Sequence, residues 1–225
     1  MIAVVDYGIG NLRSAEKALQ HVGADARLTT DAEVIGAADA VVLPGVGNFG
    51  ACMRALRESG LEAETRAAAT DGRPFLGICV GMQMLFDGSD ESPGVDGLGI
   101  VAGRITRLPA TVRLPQMGWN TLERNPESRL VAGLPDPAWC YFVHTFAPDP
   151  ADAADVAAWC DYGRRFAAAV DRGPVWATQF HPEKSGDVGL VLLGNFVSTV
   201  AEESRRVTRR SRLDDANPTI DNTAC

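Results

Sequence analysis

The chain has 225 residues, a formal net charge of −8, 46% apolar and 22% charged residues, the make-up of one sizeable α/β domain or two small ones. The acidic balance speaks against non-specific nucleic-acid binding, and no apolar run approaches the roughly 20 residues that span a bilayer. Five scattered cysteines without a CxxC, only three histidines and an acidic N-terminus unlike a signal peptide argue against a disulfide scaffold and a metal site, leaving a cytoplasmic protein as the expectation.

"IAVVDYG" (2–8) is a β-rich run that ends at glycine. Leu12, Ala15, Leu19 and Val22 then recur at helical spacing, with Gly23 as a C-cap. "ADARLTT" (24–30) and "DAVVLPG" (39–45) read as the second and third strands, and residues 49–69, rich in Ala, Leu, Arg and Glu, predict one helix. "RPFLGIC" (73–79) is the next strand, and "GMQMLFDG" (81–88) opens another helix. Beyond Gly97 the chain breaks into short β-like runs separated by Gly, Pro and Asp, before an amphipathic helix over 188–203. The pattern predicts an α/β fold: an open, mostly parallel sheet flanked by helices, with antiparallel additions in the C-terminal half. One domain over 1–203 is expected. Residues 204–225 lack apolar periodicity and contain Pro218, so they are expected to form a disordered tail.

"GICVGMQ" (77–83) fits a nucleophile elbow, G-x-nucleophile-x-G, with cysteine as the nucleophile. A sharp strand-to-helix turn needs the small flanking residues Gly77 and Gly81. It lifts the Cys79 sulfur above the sheet edge at a helix N-terminus, where thiolate is favoured, and leaves the Val80 N–H free for an oxyanion. In most chains a lone GxCxG cysteine is simply buried. Here "QFHPEKS" supplies His181 as a base and Glu183 to orient it, in the order that places all three at the C-terminal edge of an α/β sheet. "LPGVGNFG" (43–50) has three glycines after a strand, so Val46 and Gly47 are candidates for a second oxyanion donor. Glycines on both sides of Val46 make rotation of its peptide cheap, which suggests a donor formed only when a partner is engaged. "GIGNLR" (8–13) has Arg13 where a dinucleotide fingerprint needs glycine, so no cofactor site is expected there. Asp6, Asp39 and Asp71 border strands as turn or cap residues rather than metal ligands, and His21 closes a helix.

With "DYGIGNLRS", "PGVGNFG", "PQMGWN" and "YFVHTF", these motifs resemble the class I (triad) glutamine amidotransferases, and within them the glutaminase subunits of imidazole glycerol phosphate synthases, from residue 2 to about residue 200. The resemblance implies hydrolysis of glutamine to glutamate and ammonia through a Cys79 thioester, without a cofactor or metal. It places Gln83 and Glu91 in the glutamine-binding positions, with His144, Thr145 and Phe146 on the other side of the substrate. Thr145 and Phe146 depart from the serine and tyrosine usual there, and Gln116 stands where histidine is frequent. The resemblance also implies a (β/α)₈-barrel cyclase partner, which turns the ammonia and a ribotide into imidazole glycerol phosphate and an aminoimidazole carboxamide ribotide. Asn11, Met117, Trp119 and Asn120 are the interface candidates, Trp and Met being enriched at interface cores. Neither nucleic acid nor membrane is expected as a partner. Three alternatives stay open: another class I amidotransferase, a non-catalytic subunit, and a cysteine peptidase on a similar fold.

Overall fold

The computed structural model describes residues 1–216. β1 (Ile2–Val5) leads through α1 (Leu12–His21) to β2 (Ala26–Thr29), and α2 (Ala32–Ala37) leads to β3 (Ala40–Gly45). α3 (Phe49–Glu58) and α4 (Glu62–Ala68) precede β4 (Phe75–Cys79), which runs directly into α5 (Val80–Met84). There follow β5 (Phe86–Ser89), β6 (Val101–Arg107), β7 (Gln116–Thr121), β8 (Glu123–Arg124), β9 (Trp139–His144) and β10 (Phe146–Pro150). β11 (Val156–Asp161), β12 (Arg165–Arg172) and β13 (Val175–Thr178) complete the strands, and α6 (Gly186–Ala216) closes the described chain.

The main sheet has the order β2-β1-β3-β4-β13-β12-β11-β8. Its first five strands are parallel and the remainder antiparallel, as the sequence predicts. β1, β3, β4 and β13 are buried along their whole length, which is why they read as continuous apolar runs rather than alternating ones. Two smaller assemblies stand beside this sheet: β10-β6-β5, and the antiparallel ribbon β7-β9.

The single helix expected over 49–69 is two. Gly60, with φ of 76°, ends α3 by turning its N–H back to the Arg57 carbonyl, a C-terminal glycine stop inside otherwise helix-forming composition. The short α2, capped by the Asp31 carboxylate on the Glu33 N–H, and the strand β5 were not apparent from periodicity over so few residues. The closing helix extends past Glu203 to Ala216, over part of the segment expected to be disordered. No proline interrupts 204–216, and Glu202 pairs with Arg129 at 2.6 Å, tying that helix to the body. The remainder of the expected tail, 217–225, lies outside the described residues. No described helix is long and apolar enough to cross a membrane.

Candidate active site

The C-terminal ends of β1, β3, β4 and β13 converge on a cavity of about 590 Å³. Cys79 sits at its floor, the last residue of β4, with φ of 55° and ψ of −113°. It is the one non-glycine residue with positive φ among those described. Such a conformation costs on the order of 1–3 kcal/mol and persists where the surroundings over-determine it. The surroundings are visible: a Cβ on Gly81 would lie 1.8 Å from the Leu43 carbonyl oxygen, so β3 can press against the turn only because that residue is glycine. The elbow inferred from "GICVGMQ" is therefore present in the backbone. α5 has only five residues, so its dipole is that of little more than one turn and gives a thiolate less help than the sequence suggests.

His181 follows β13 and is held from both sides. Its N–H donates to the Tyr141 carbonyl at 3.0 Å, and its carbonyl accepts from the Ser185 hydroxyl at 2.7 Å. Its Nδ1 lies 2.8 Å from Glu183 Oε1 in a buried pair, so Nδ1–H donates to the carboxylate and Nε2 is left for the cysteine. Burial works against the imidazolium. The hydrogen bond to Cys79, then that to Glu183, outweigh it and push His181 up to about 9. Cys79 and His181 thus line the same cavity, and Glu183 pairs with the imidazole.

Val46, Gly47 and Val80 all line the cavity. Val80 opens α5, so its N–H has no acceptor within that helix. The two glycines flanking Val46 differ. Gly47 has φ of 89° and open space around a Cβ, whereas a Cβ on Gly45 would meet the Gly81 nitrogen at 2.7 Å and the Tyr7 hydroxyl at 2.9 Å. Gly45 is glycine for packing and Gly47 for conformation, so the loop has freedom on one side of Val46 rather than both. The Val46 carbonyl is also held, accepting from the Cys52 thiol at 3.3 Å.

Gln83, Glu91, His144, Thr145 and Phe146 all line the cavity. Gln83 Nε2 donates to the Phe146 carbonyl at 3.1 Å and to Gln179 Oε1 at 2.9 Å, which leaves its amide oxygen to offer a ligand. Glu91 Oε2 accepts from the Phe49 N–H at 2.7 Å, at the start of α3. Both residues therefore present acceptors. His144 Nδ1 lies 2.9 Å from the same Phe146 carbonyl. Burial, reinforced by the charges of Arg164 and His181, lowers His144 to about 4 and keeps it neutral. The Phe146 contribution is its backbone carbonyl, so the missing tyrosine hydroxyl leaves this arrangement intact. Gln116 is buried opposite His144 on β7 and lies outside the cavity lining.

Sequence reasoning missed Gln179, Lys184, Gly10 and Pro115. Lys184, Gly10 and Pro115 line the cavity, and Gln179 places Nε2 3.8 Å from the Cys79 sulfur. The available signal for Gln179 was a polar residue following the buried strand "PVWAT".

Of the interface candidates, Asn11 lines the cavity and its Oδ1 accepts from the Ser14 hydroxyl. Met117 and Trp119 project outward from β7, 66% and 54% exposed. Strand alternation puts Tyr141 and Trp139 of β9 on the same face, with Trp119 edge-on to Tyr141 at 6.0 Å between centroids. Val143 on that face, paired with Met117, reaches the cavity rim. Asn120, half-buried, has its side chain engaged within the chain, donating to the Asp161 carbonyl and accepting from the Thr121 N–H. Among the described residues no three of His, Cys, Asp and Glu are grouped as a metal ion needs.

A family model described as glutamine amidotransferase class-I matches residues 3–199. The imidazole glycerol phosphate synthase subunit HisH of Methanothermobacter thermautotrophicus is 48% identical over 200 residues, covering 89% of this chain and 99% of that protein. The subunit of the same name in Methylococcus capsulatus is 50% identical over 207 residues, covering 87% and 95%. A solved structure described as a glutamine amidotransferase superposes with a TM-score of 0.67 at 25% identity, over 89% of this chain and 100% of that one. PurLQS from Thermotoga maritima shares the fold, with a TM-score of 0.65 at 19% identity, over 90% and 97% of the two chains.

Proposed function

The chain belongs to the class-I glutamine amidotransferases, and from that premise we propose that it is the glutaminase subunit of an imidazole glycerol phosphate synthase, working through Cys79, His181 and Glu183. The observation that carries the reading is the strained Cys79 elbow beside the buried 2.8 Å His181–Glu183 pair. A free-standing structural cysteine requires neither the backbone strain nor the charged partner.

The chemistry follows from the positions. Cys79 thiolate attacks the side-chain amide carbon of glutamine, and the carbonyl π pair moves to oxygen. The Val80 N–H, with one from Val46 or Gly47, holds that oxyanion. Protonated His181 gives its Nε2 proton to the departing nitrogen, ammonia leaves, and a γ-glutamyl thioester remains. Now neutral, His181 takes a proton from water as that water attacks the thioester, releasing glutamate and regenerating the thiolate–imidazolium pair. Glu183 keeps the imidazole in the Nδ1–H form throughout. The acceptors of Gln83 and Glu91 suit the substrate α-ammonium. Enclosure of the ligand between these groups and His144, Thr145 and Phe146 favours a small zwitterion over a peptide.

The partner in this reading is a (β/α)₈-barrel cyclase that receives the ammonia. Its docking site is the exposed ribbon face of Met117, Trp119, Tyr141 and Trp139, which runs to the cavity rim at Val143, with Asn11 beside it and Asn120 bracing the ribbon from behind. The assay is ammonia release from glutamine, by this chain alone and then with a cyclase subunit and its ribotide. Weak turnover alone, strong turnover together and none in Cys79→Ala is the expected result. Full activity without a partner would remove the regulated-synthase reading while keeping the glutaminase.

A further inference from the structure

We propose that Gln179 is a further catalytic residue, donating a side-chain N–H to the Cys79 sulfur and so favouring the thiolate, with Gln83 and His144 as the positioning residues that fix its orientation. The inference rests on the glutaminase reading above and adds to it the source of electrostatic support that the short α5 does not provide.

The orientation of the Gln179 amide is determined by a chain of contacts that begins at a group with no ambiguity. The Phe146 backbone carbonyl can only accept. The two nitrogens directed at it, Gln83 Nε2 at 3.1 Å and His144 Nδ1 at 2.9 Å, must both donate. That fixes which end of Gln83 is nitrogen. The second N–H of Gln83 then points at Gln179 Oε1, 2.9 Å away. With its oxygen so engaged, Gln179 turns its NH₂ to the Cys79 sulfur at 3.8 Å. Reversing Gln179 would set two donors against each other at one end. Both glutamines are buried, Gln179 completely and Gln83 at 3% exposure. Neutral His144 keeps its proton on Nδ1, as the chain of contacts requires.

The consequence for sulfur is directional. A thiol needs an acceptor for its S–H, and Gln179 offers a donor. The contact therefore strengthens when the sulfur ionises, since hydrogen bonds to a charged acceptor are about twice as strong as neutral ones. The other titratable groups around the sulfur are His181 and Glu183 from the loop after β13, Tyr7 after β1 and Cys52 on α3. Glu91, His144 and Lys184 line the same cavity. Gln179→Met leaves all of these in place, whereas Gln179→Glu adds a carboxyl group beside the sulfur.

The test is the alkylation rate of Cys79 by iodoacetamide, followed by peptide mass spectrometry, in the full chain and in Gln179→Glu and Gln179→Met. Gln179→Glu is isosteric and retains an acceptor for Gln83, so it serves even where the methionine variant folds poorly. At neutral pH the expected rate is about tenfold lower for Gln179→Met, the loss of one hydrogen bond to a charged group, and lower again for Gln179→Glu, whose carboxylate also opposes the thiolate. In strongly alkaline buffer the three rates should converge, because access to the sulfur is unchanged. For Gln179→Glu, kcat for glutamine should fall in parallel while KM stays within about twofold. Unchanged rates at neutral pH in the folded variants, or a loss equal at every pH, would overturn the inference. A chain that hydrolyses glutamine with alkylation indifferent to Gln179 overturns this inference alone. Gln179-dependent alkylation in a chain that never hydrolyses glutamine, even with its cyclase, overturns the glutaminase reading instead.

Discussion

At Cys79 the backbone is strained, His181 and Gln179 are close to the side chain and Glu183 is paired with that histidine, and each of these residues can be tested. Cys79, then Glu183, hold His181 up to about 9 against its burial, so the imidazole stays protonated through neutral pH. The alkaline limb of glutaminase activity should lie near that value, and Glu183→Gln should move the limb downward, because removing the carboxylate charge favours the neutral imidazole. A limb that stays put on this substitution would separate Glu183 from the imidazole. His144 works in the opposite sense. Its folded value of about 4 lies below the 6.5 of a free imidazole, so its neutral form contributes stability that is complete above 6.5 and lost as pH falls towards 4. The linkage is on the order of 3 kcal/mol. Urea midpoints should fall across that window, and His144→Asn should flatten the fall. The candidate triad was legible because each part carries its own local pattern, a cysteine between glycines after one strand and His-x-Glu after another. Gln179 was not, since nothing in the letters shows that its amide is gripped by Gln83, nearly a hundred residues away in sequence.

The elbow is a property of β3, β4 and α5 together, and its glycines separate by the reason each is there. Gly81→Ala would drive a Cβ to within 1.8 Å of the Leu43 carbonyl. It should destabilise the fold by about 3 kcal/mol or more and abolish activity, the cost of overpacking against backbone that cannot yield. Gly47→Ala meets open space and costs only the left-handed strain, on the order of 1–2 kcal/mol. Gly47→Ala is thus the informative variant for the oxyanion loop: activation by the cyclase should fall while glutamine KM holds. Loss of both together would show that the loop merely shapes the pocket. Strand alternation with helices was readable from the sequence because buried parallel strands are continuous apolar runs. The break at Gly60 and the brief α2 were not, since one left-handed residue or six helical ones leave little periodic trace.

Across the described residues, the C-terminal ends of the parallel strands bear Cys79 and lead to His181, while the antiparallel ribbon of β7 and β9 faces outward. Trp119, Met117 and Trp139 stand 54%, 66% and 48% exposed on one face of that ribbon, close enough together to serve as an interface core. Trp119→Ala should weaken association with a cyclase subunit by about 2 kcal/mol, as central aromatic anchors do, while leaving the chain's own melting temperature nearly unchanged; sedimentation of the mixed subunits reads the first and calorimetry the second. The "PQMGWN" motif pointed to this face, but Trp139 joins it only through the β7–β9 register, which no local pattern announces. The central claim, that Cys79 is the nucleophile of a glutaminase, is tested most directly by acid-quenching the complete synthase during glutamine turnover and mapping covalent adducts by mass spectrometry. A γ-glutamyl thioester is expected on the peptide bearing Cys79, absent from Cys79→Ala together with all ammonia release. Continued ammonia release by Cys79→Ala would contradict the claim.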